Sequence, residues 1–326
     1  MKRTIALLFA AAFAGAYGIV QAAAGPDFLA ATPPLPGAGH LSGKLFQAPG
    51  IDQLMDFYGD VTDPQLVVFL AGNQFMVVPE LVKAFKNAHP DIRRVFVETI
   101  PPGVLAQQIA QAALVIGSMR ISLKPDVFAA GAASIKRLQE QHGWFETTGG
   151  YASNDLVLMV RKGNPKHIGS LNDLARADVR IAMPNPAFEG IARQIQAAYV
   201  KAGGESLRRA VMDVKTKDGT TILTQIHHRQ SAAYILAGAV DAAPVWSTEG
   251  EYQKRLGHEI ELVSIPQAQN STAQYVMAAI RSAPHHESAQ AFVEFVKNPE
   301  GQEIYRKYGF GPGQSAHMED AAGNPQ

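Results

Sequence analysis

The sequence predicts an α/β fold large enough for two domains. Short apolar runs alternate with longer segments of helical period. The second half repeats the style of the first. The chain has 326 residues, against a usual domain size of ~100–200 residues. Apolar residues make up 47% and charged residues 18%, which suits buried cores better than disorder.

Residues 66–70 form a short buried-strand run, and 71–74 form a turn. Pro79 sits where helices accept proline, in the first turn. Leu81, Val82, Phe85 and Ala88 share one helical face, and Pro90 ends it. Residues 95–97 are the next strand, 98–103 a turn with two prolines, and 105–113 a helix. A strand at 126–130 and a helix at 132–142 complete the first half. Strands joined through helices at this spacing imply a mostly parallel sheet.

In the second half, 156–161 reads as a strand and Gly163, Asn164 and Pro165 as a turn. Ser170 and Asp173 form a capping box, in which each side chain satisfies the other's backbone N–H. A strand at 179–183 and a turn at 184–186 precede a helix at 188–202, closed by Gly203 and Gly204. Helices are expected at 220–226, 231–237 and 289–296, and strands at 241–246, 260–265 and 275–280.

The N-terminus has the layout of a secretory signal peptide over 1–22: Lys2 and Arg3, an apolar run at 5–16, then Val20, Gln21 and Ala22 as a small-residue cleavage pattern. That run is shorter than the ~20 residues a membrane-spanning helix needs. The chain is thus expected to be exported and soluble, with no membrane insertion. Residues 23–65 read as an N-terminal extension rich in Ala, Pro and Gly. Lys plus Arg equals Asp plus Glu, 29 each, so nothing suggests nucleic-acid binding. With no cysteine, thiolate metal sites and thiol nucleophiles are excluded. No G-x-S-x-G, H-E-x-x-H or phosphate-loop motif occurs, so an enzyme is not expected.

Six stretches, in order, carry a family resemblance: 67–85; Pro125-Asp126-Val127-Phe128-Ala129-Ala130; 153–165; Ala182-Met183-Pro184-Asn185-Pro186; Gly238-Ala239-Val240-Asp241-Ala242-Ala243; and 291–310. Together they resemble the type 2 periplasmic solute-binding proteins of ABC transporters, in particular the molybdate- and tungstate-binding ones. The resemblance implies two lobes, each a mostly parallel sheet flanked by helices, with a ligand cleft between them. Lobe 1 would comprise 66–150 with 274–316, lobe 2 would comprise 151–273, and 317–326 would be a tail. It further implies a monomer in the periplasm that takes up an oxyanion without cofactor or metal. Its partners would be an ABC permease and ATPase complex. The alternative is a ligand-presenting sensor or accessory binding protein of the same fold, for a metal ion or small organic ligand.

In open α/β sheets ligands bind beyond the carboxyl ends of the strands, where helix starts present unpaired N–H groups. Asn73 and Gln74 occupy the first such turn and Thr99 the second, as ligand donors or helix caps. Asn185 lies in the facing turn of lobe 2, with Glu189 as an ordinary carboxylate partner of the helix start. His228 and Arg229 open the helix after 226, where Arg229 would clamp an anion, while His227 reads as a surface residue. Trp246, Ser247 and Glu249 close the last strand of lobe 2. The molybdate-binding relatives often carry tyrosine where Trp246 stands. An indole offers one donor and a large apolar face.

Overall fold

The computed structural model describes residues 45–46, 57–116, 119–187, 189–225 and 227–313. The expected signal peptide, most of the extension and the tail lie outside the described residues.

Two short strands, β1 (Leu45–Phe46) and β2 (Phe57–Gly59), come from the stretch expected to be an extension and join the first sheet. The wholly buried β3 (Leu66–Ala71) passes through a 3-10 turn, Gly72–Val77, into α1 (Val78–Ala88), which has Pro79 in its first turn. Next come β4 (Val95–Ile100), α2 (Pro102–Gln111), the hairpin β5 (Ala113–Ile116) and β6 (Met119–Ser122), β7 (Val127–Gly131), α3 (Ala132–His142) and β8 (Phe145–Asn154).

The chain then enters a second sheet with β9 (Leu156–Arg161). The Ser170–Asp173 capping box opens a 3-10 turn, Leu171–Ala175. It is followed by β10 (Ile181–Met183), α4 (Gly190–Arg209), α5 (Lys215–Lys217), β11 (Thr221–Leu223), α6 (Gln230–Leu236), β12 (Ala242–Trp246), α7 (Ser247–Arg255) and β13 (Ile260–Ser264). The chain returns to the first sheet through β14 (Ala273–Ile280), α8 (His286–Lys297), α9 (Pro299–Lys307) and β15 (Gly311–Pro312).

The first sheet has the order β1-β2-β4-β3-β7-β14-β8-β15 and the second β11-β10-β12-β9-β13. The molecule is therefore two-lobed and α/β. Parallel pairing is confined to β4-β3-β7 and β11-β10-β12. The strands that carry the chain between lobes, β8, β9 and β14, pair antiparallel and make both sheets mixed, not mostly parallel. Strand β8 stays in the first sheet through Asn154, so the crossing lies later than the expected one after Gly150.

One expected helical feature differs. Residues 221–223 form β11, parallel to β10, instead of a helix. Three consecutive β-branched residues, Thr220, Thr221 and Ile222, favour extended backbone at the sheet edge. The helix expected to stop at Gly203 and Gly204 does leave helical backbone there, with φ −147° at Gly203 and φ +70°, ψ −171° at Gly204, and a second helical stretch runs on to Arg209. A kink at a glycine pair needs no Cβ to be accommodated.

Apolar runs such as β3 are continuous because both faces are covered. Val68 and Leu70 face the core shared with α1 and α8, while Val67 and Phe69 face Phe96, Phe128 and Leu105 on the other side. Asp126 fastens the sheet from within. Its carboxylate accepts from the Val67 N–H at 2.7 Å, the His285 N–H at 2.8 Å and His285 Nδ1 at 3.0 Å. The lobes also touch at their rim: Arg255 of α7 donates to the Lys307 carbonyl at 3.0 Å and lies 5.1 Å from the Tyr308 ring centre. No helix among the described residues is long and apolar enough to cross a membrane.

Replacing Asp126 by alanine strands a buried N–H. The expected loss is about 2 kcal/mol or more of stability. Urea unfolding of Asp126→Ala against the native chain measures it.

Candidate functional site

The site is built from turns at the carboxyl ends of strands in both sheets. From the first lobe comes Gly72–Val77, after β3, with Thr99 near the end of β4. From the second come the turn after β10, the loop between β11 and α6, and the start of α7 after β12. These segments meet along a buried seam. Phe75 packs edge-to-face on Tyr252 at 5.1 Å and lies beneath the Arg229 guanidinium at 5.0 Å. A Cβ at Gly72 would lie 1.9 Å from His227 Nε2, so only glycine lets the loop approach this closely.

Three charged side chains from separate elements converge in the second lobe. His228 Nδ1 lies 2.7 Å from Glu189 Oε2, and His228 Nε2 lies 3.0 Å from Glu249 Oε1. All three residues are buried. Burial alone would lower the His228 pKa, but the carboxylates of Glu249 and Glu189 outweigh it and push it up to about 10. His228 is thus a cation at neutral pH. Its neighbour His227 is driven the other way, well below the ordinary histidine value, by burial and then by the positive charges of Arg229 and His228.

Arg229 reaches across the seam. Its Nη2 donates to the Thr99 carbonyl at 3.3 Å, while its main-chain N–H and its Nε donate to His227 Nδ1 at 3.1 and 3.2 Å. A small pocket opens here, lined by Phe75, Met159, His228, Arg229, Glu249 and Gln253 among others. Gln74 is wholly buried in the facing turn. Its Oε1 accepts from the hydroxyls of Tyr151 and Tyr305 at 2.7 and 2.9 Å, and its Nε2 has no acceptor among the described residues.

The expected site residues divide. Thr99, His228, Arg229 and Glu249 come together at the seam, while the Gln74 side chain is held within the first lobe by Tyr151 and Tyr305. Asn73 gives its amide to the Tyr275 hydroxyl at 2.6 Å, which fixes the turn to β14. Asn185 shapes the turn before α4, its Oδ1 accepting from the Ala187 N–H at 3.0 Å. Trp246 is a buried wall, edge-on to Tyr275 at 6.2 Å. Ser247 donates to Asn154 Oδ1 at 2.9 Å, beside the strand crossing.

Two residues were misjudged from sequence. His227 is wholly buried against the other lobe, not a surface residue. Glu189 is a buried partner of His228, not a solvated helix-start carboxylate. The signal for both was indirect: His227-His228-Arg229-Gln230 concentrates polar groups just before a helix in a chain of low charge. Glu189, His227 and His228 also place potential metal-ligand atoms within 4.8 Å of one another.

Residues 66–311 match the family model described as bacterial extracellular solute-binding protein. The chain belongs to that family. This solute-binding protein is 28% identical over 190 residues to the sulfate-binding protein of Escherichia coli K12, covering 55% of each chain. It thus spans about half the length of the curated relatives it matches. Among solved structures it resembles the sulfate-binding protein SubI of Mycobacterium tuberculosis, with TM-score 0.61, 21% identity, and 76% and 86% of the two chains covered. It resembles the periplasmic molybdate-binding protein of Azotobacter vinelandii equally in TM-score, 0.61, at 19% identity, with 76% and 100% covered. At these identities the structural likenesses establish the two-lobed fold.

Two outcomes are expected. A methyl group at Gly72 would displace His227 and part the seam, so Gly72→Ala should bind any cleft ligand at least about tenfold more weakly, as read by calorimetry. His228 has a raised pKa in the folded state, so its stabilisation is full below its ordinary pKa of 6.5 and is lost as pH rises through about 10. The stability advantage of the native chain over His228→Gln should therefore shrink steadily from pH 6.5 to 10 in urea unfolding.

Proposed function

We propose that this protein is the periplasmic solute-binding component of an ABC transporter and that its lobes close on a small oxyanion, of the sulfate or molybdate type. The observation that carries the reading is a buried guanidinium in a pocket on the seam: Arg229 lines it, rests on Phe75 and is held to both lobes. Arginine presents a planar fork of donors that matches an oxyanion's oxygens. The Gln74 amide is a further buried donor in the first-lobe turn that also carries Phe75. Glu189 and Glu249, which would repel an anion, are drawn onto the His228 cation.

The names of the relatives point the same way, since those compared bind sulfate or molybdate. Lobe closure around a ligand is the hinge motion this fold supports. An ABC permease with its ATPase would receive the closed, loaded form. The lobes of the proposal are the two sheets with their helices, divided at the crossings after β8 and after β13.

The test is titration calorimetry with sulfate, thiosulfate, molybdate and tungstate. At least one should bind. Arg229→Ala should weaken it by about 10–100-fold, the worth of a hydrogen bond to a charged group. Binding of none of the four anions, with a metal ion or organic acid bound instead, would overturn the oxyanion reading.

A further inference from the structure

We infer that the Gln253 side-chain amide is a ligand donor of the pocket, and that His258 is the positioning residue that turns its N–H groups toward the ligand. The inference deepens the oxyanion reading and rests on it for the class of ligand.

Gln253 lies on α7 one helical turn after Glu249, so the two share a face of the helix, and both line the pocket. The residue is only 4% exposed. A glutamine amide has an oxygen that accepts and a nitrogen that donates twice. The oxygen is occupied: His258 Nδ1 lies within hydrogen-bond distance of Gln253 Oε1. The nitrogen has no acceptor among the described residues. An amide donor buried without a partner costs stability, so one kept at a pocket wall has something to serve there.

His258 is held in place by its own backbone. Gly257, at φ +76°, turns the chain after α7. The His258 N–H then donates to the Gln253 carbonyl at 3.2 Å, and the His258 carbonyl accepts from the Ile260 N–H at 2.8 Å. The ring is thereby anchored between the end of α7 and the start of β13. Against an amide oxygen the imidazole donates, and Nδ1 carries a proton in the charged ring and in one neutral tautomer alike. The reversed amide would turn its oxygen into the pocket that the Glu249 carboxylate also lines, acceptor beside anion. The carboxylate and the histidine therefore favour the same orientation, with the nitrogen toward the pocket.

The pocket's other walls include Phe75, Met159, Ala232 and Val245, whose side chains have no hydrogen bond to give. An oxyanion held there would meet the Arg229 guanidinium from the start of α6 and the Gln253 amide from α7. A neutral donor on the wall that carries Glu249 offsets the repulsion an anion would feel from that side.

The test is titration calorimetry of variants with sulfate, thiosulfate, molybdate and tungstate. Gln253→Met keeps the length of the side chain and removes both N–H groups. It should weaken the bound anion about tenfold or more. Gln253→Glu turns a carboxylate toward the ligand and should weaken it further. His258→Phe leaves the amide unaimed and should weaken binding about threefold or more. His258→Asn places an amide N–H where Nδ1–H stood and should restore affinity to within about twofold of the native chain. Long-range proton–nitrogen spectra should show His258 protonated on Nδ1, and added anion should shift the Gln253 side-chain amide resonance. Circular dichroism checks that each variant is folded. If Gln253→Met does not fold, the amide shift decides alone.

An anion that binds Gln253→Met as tightly as the native chain, or that leaves the Gln253 amide resonance unmoved, overturns the inference and leaves the oxyanion reading intact. A His258 ring with its lone pair on Nδ1 overturns the aim assigned to the amide. Failure of all four anions to bind the native chain overturns both.

Discussion

A protonated imidazole between two carboxylates draws three segments of the second lobe to one point. Glu189 precedes α4, His228 precedes α6 and Glu249 lies in the first turn of α7. Each alone would be an intolerable buried charge; together they neutralise in part and satisfy one another. The position of His228 sets that of His227 and Arg229 in the same loop. Through them it sets the contact with Gly72, Phe75 and Thr99 in the first lobe. The seam between the lobes is therefore organised from a charge pattern built within the second lobe.

The aromatic side chains beneath this seam give it a rigid floor. Tyr275 takes the Asn73 amide and stacks edge-on with Trp246, so a strand of the first sheet and the end of a strand of the second meet through two rings. Tyr151 and Tyr305 converge on Gln74 Oε1 and thereby orient its amide. Buried hydroxyls with partners resist reorientation, since any other arrangement leaves polar groups unmet. A donor held this way would be fixed before any ligand arrived, and prior fixing is what makes a binding site selective at modest entropic cost.

Much of this was legible in the sequence, for reasons that differ along the chain. Helices such as 132–142 show their period and strands such as 156–161 their apolar run, so local pattern sufficed. The turn at Asn73 and Gln74 and the loop at His228 and Arg229 were singled out because the fold class says where to look. β11 was missed because three residues at a sheet edge carry too little period to oppose a helical reading. His227 and Glu189 were misjudged because their roles depend on partners far away in the chain. Gly72 and His227 are joined by shape alone, and no local pattern announces that a missing Cβ will receive an imidazole. A carboxylate just before a helix reads the same whether it faces water or a buried histidine.

The rim contact between Arg255 and the Lys307–Tyr308 segment uses none of the pocket-lining residues, yet it joins the same two lobes. A bond that exists only when the lobes are together favours that arrangement whatever the cleft contains. The affinity observed for any solute is its intrinsic affinity multiplied by the fraction of molecules already able to hold it. For the solute binding proposed above, the rim would be a gain control: it would scale the affinity for every candidate solute by one common factor, and leave the choice among them to the seam.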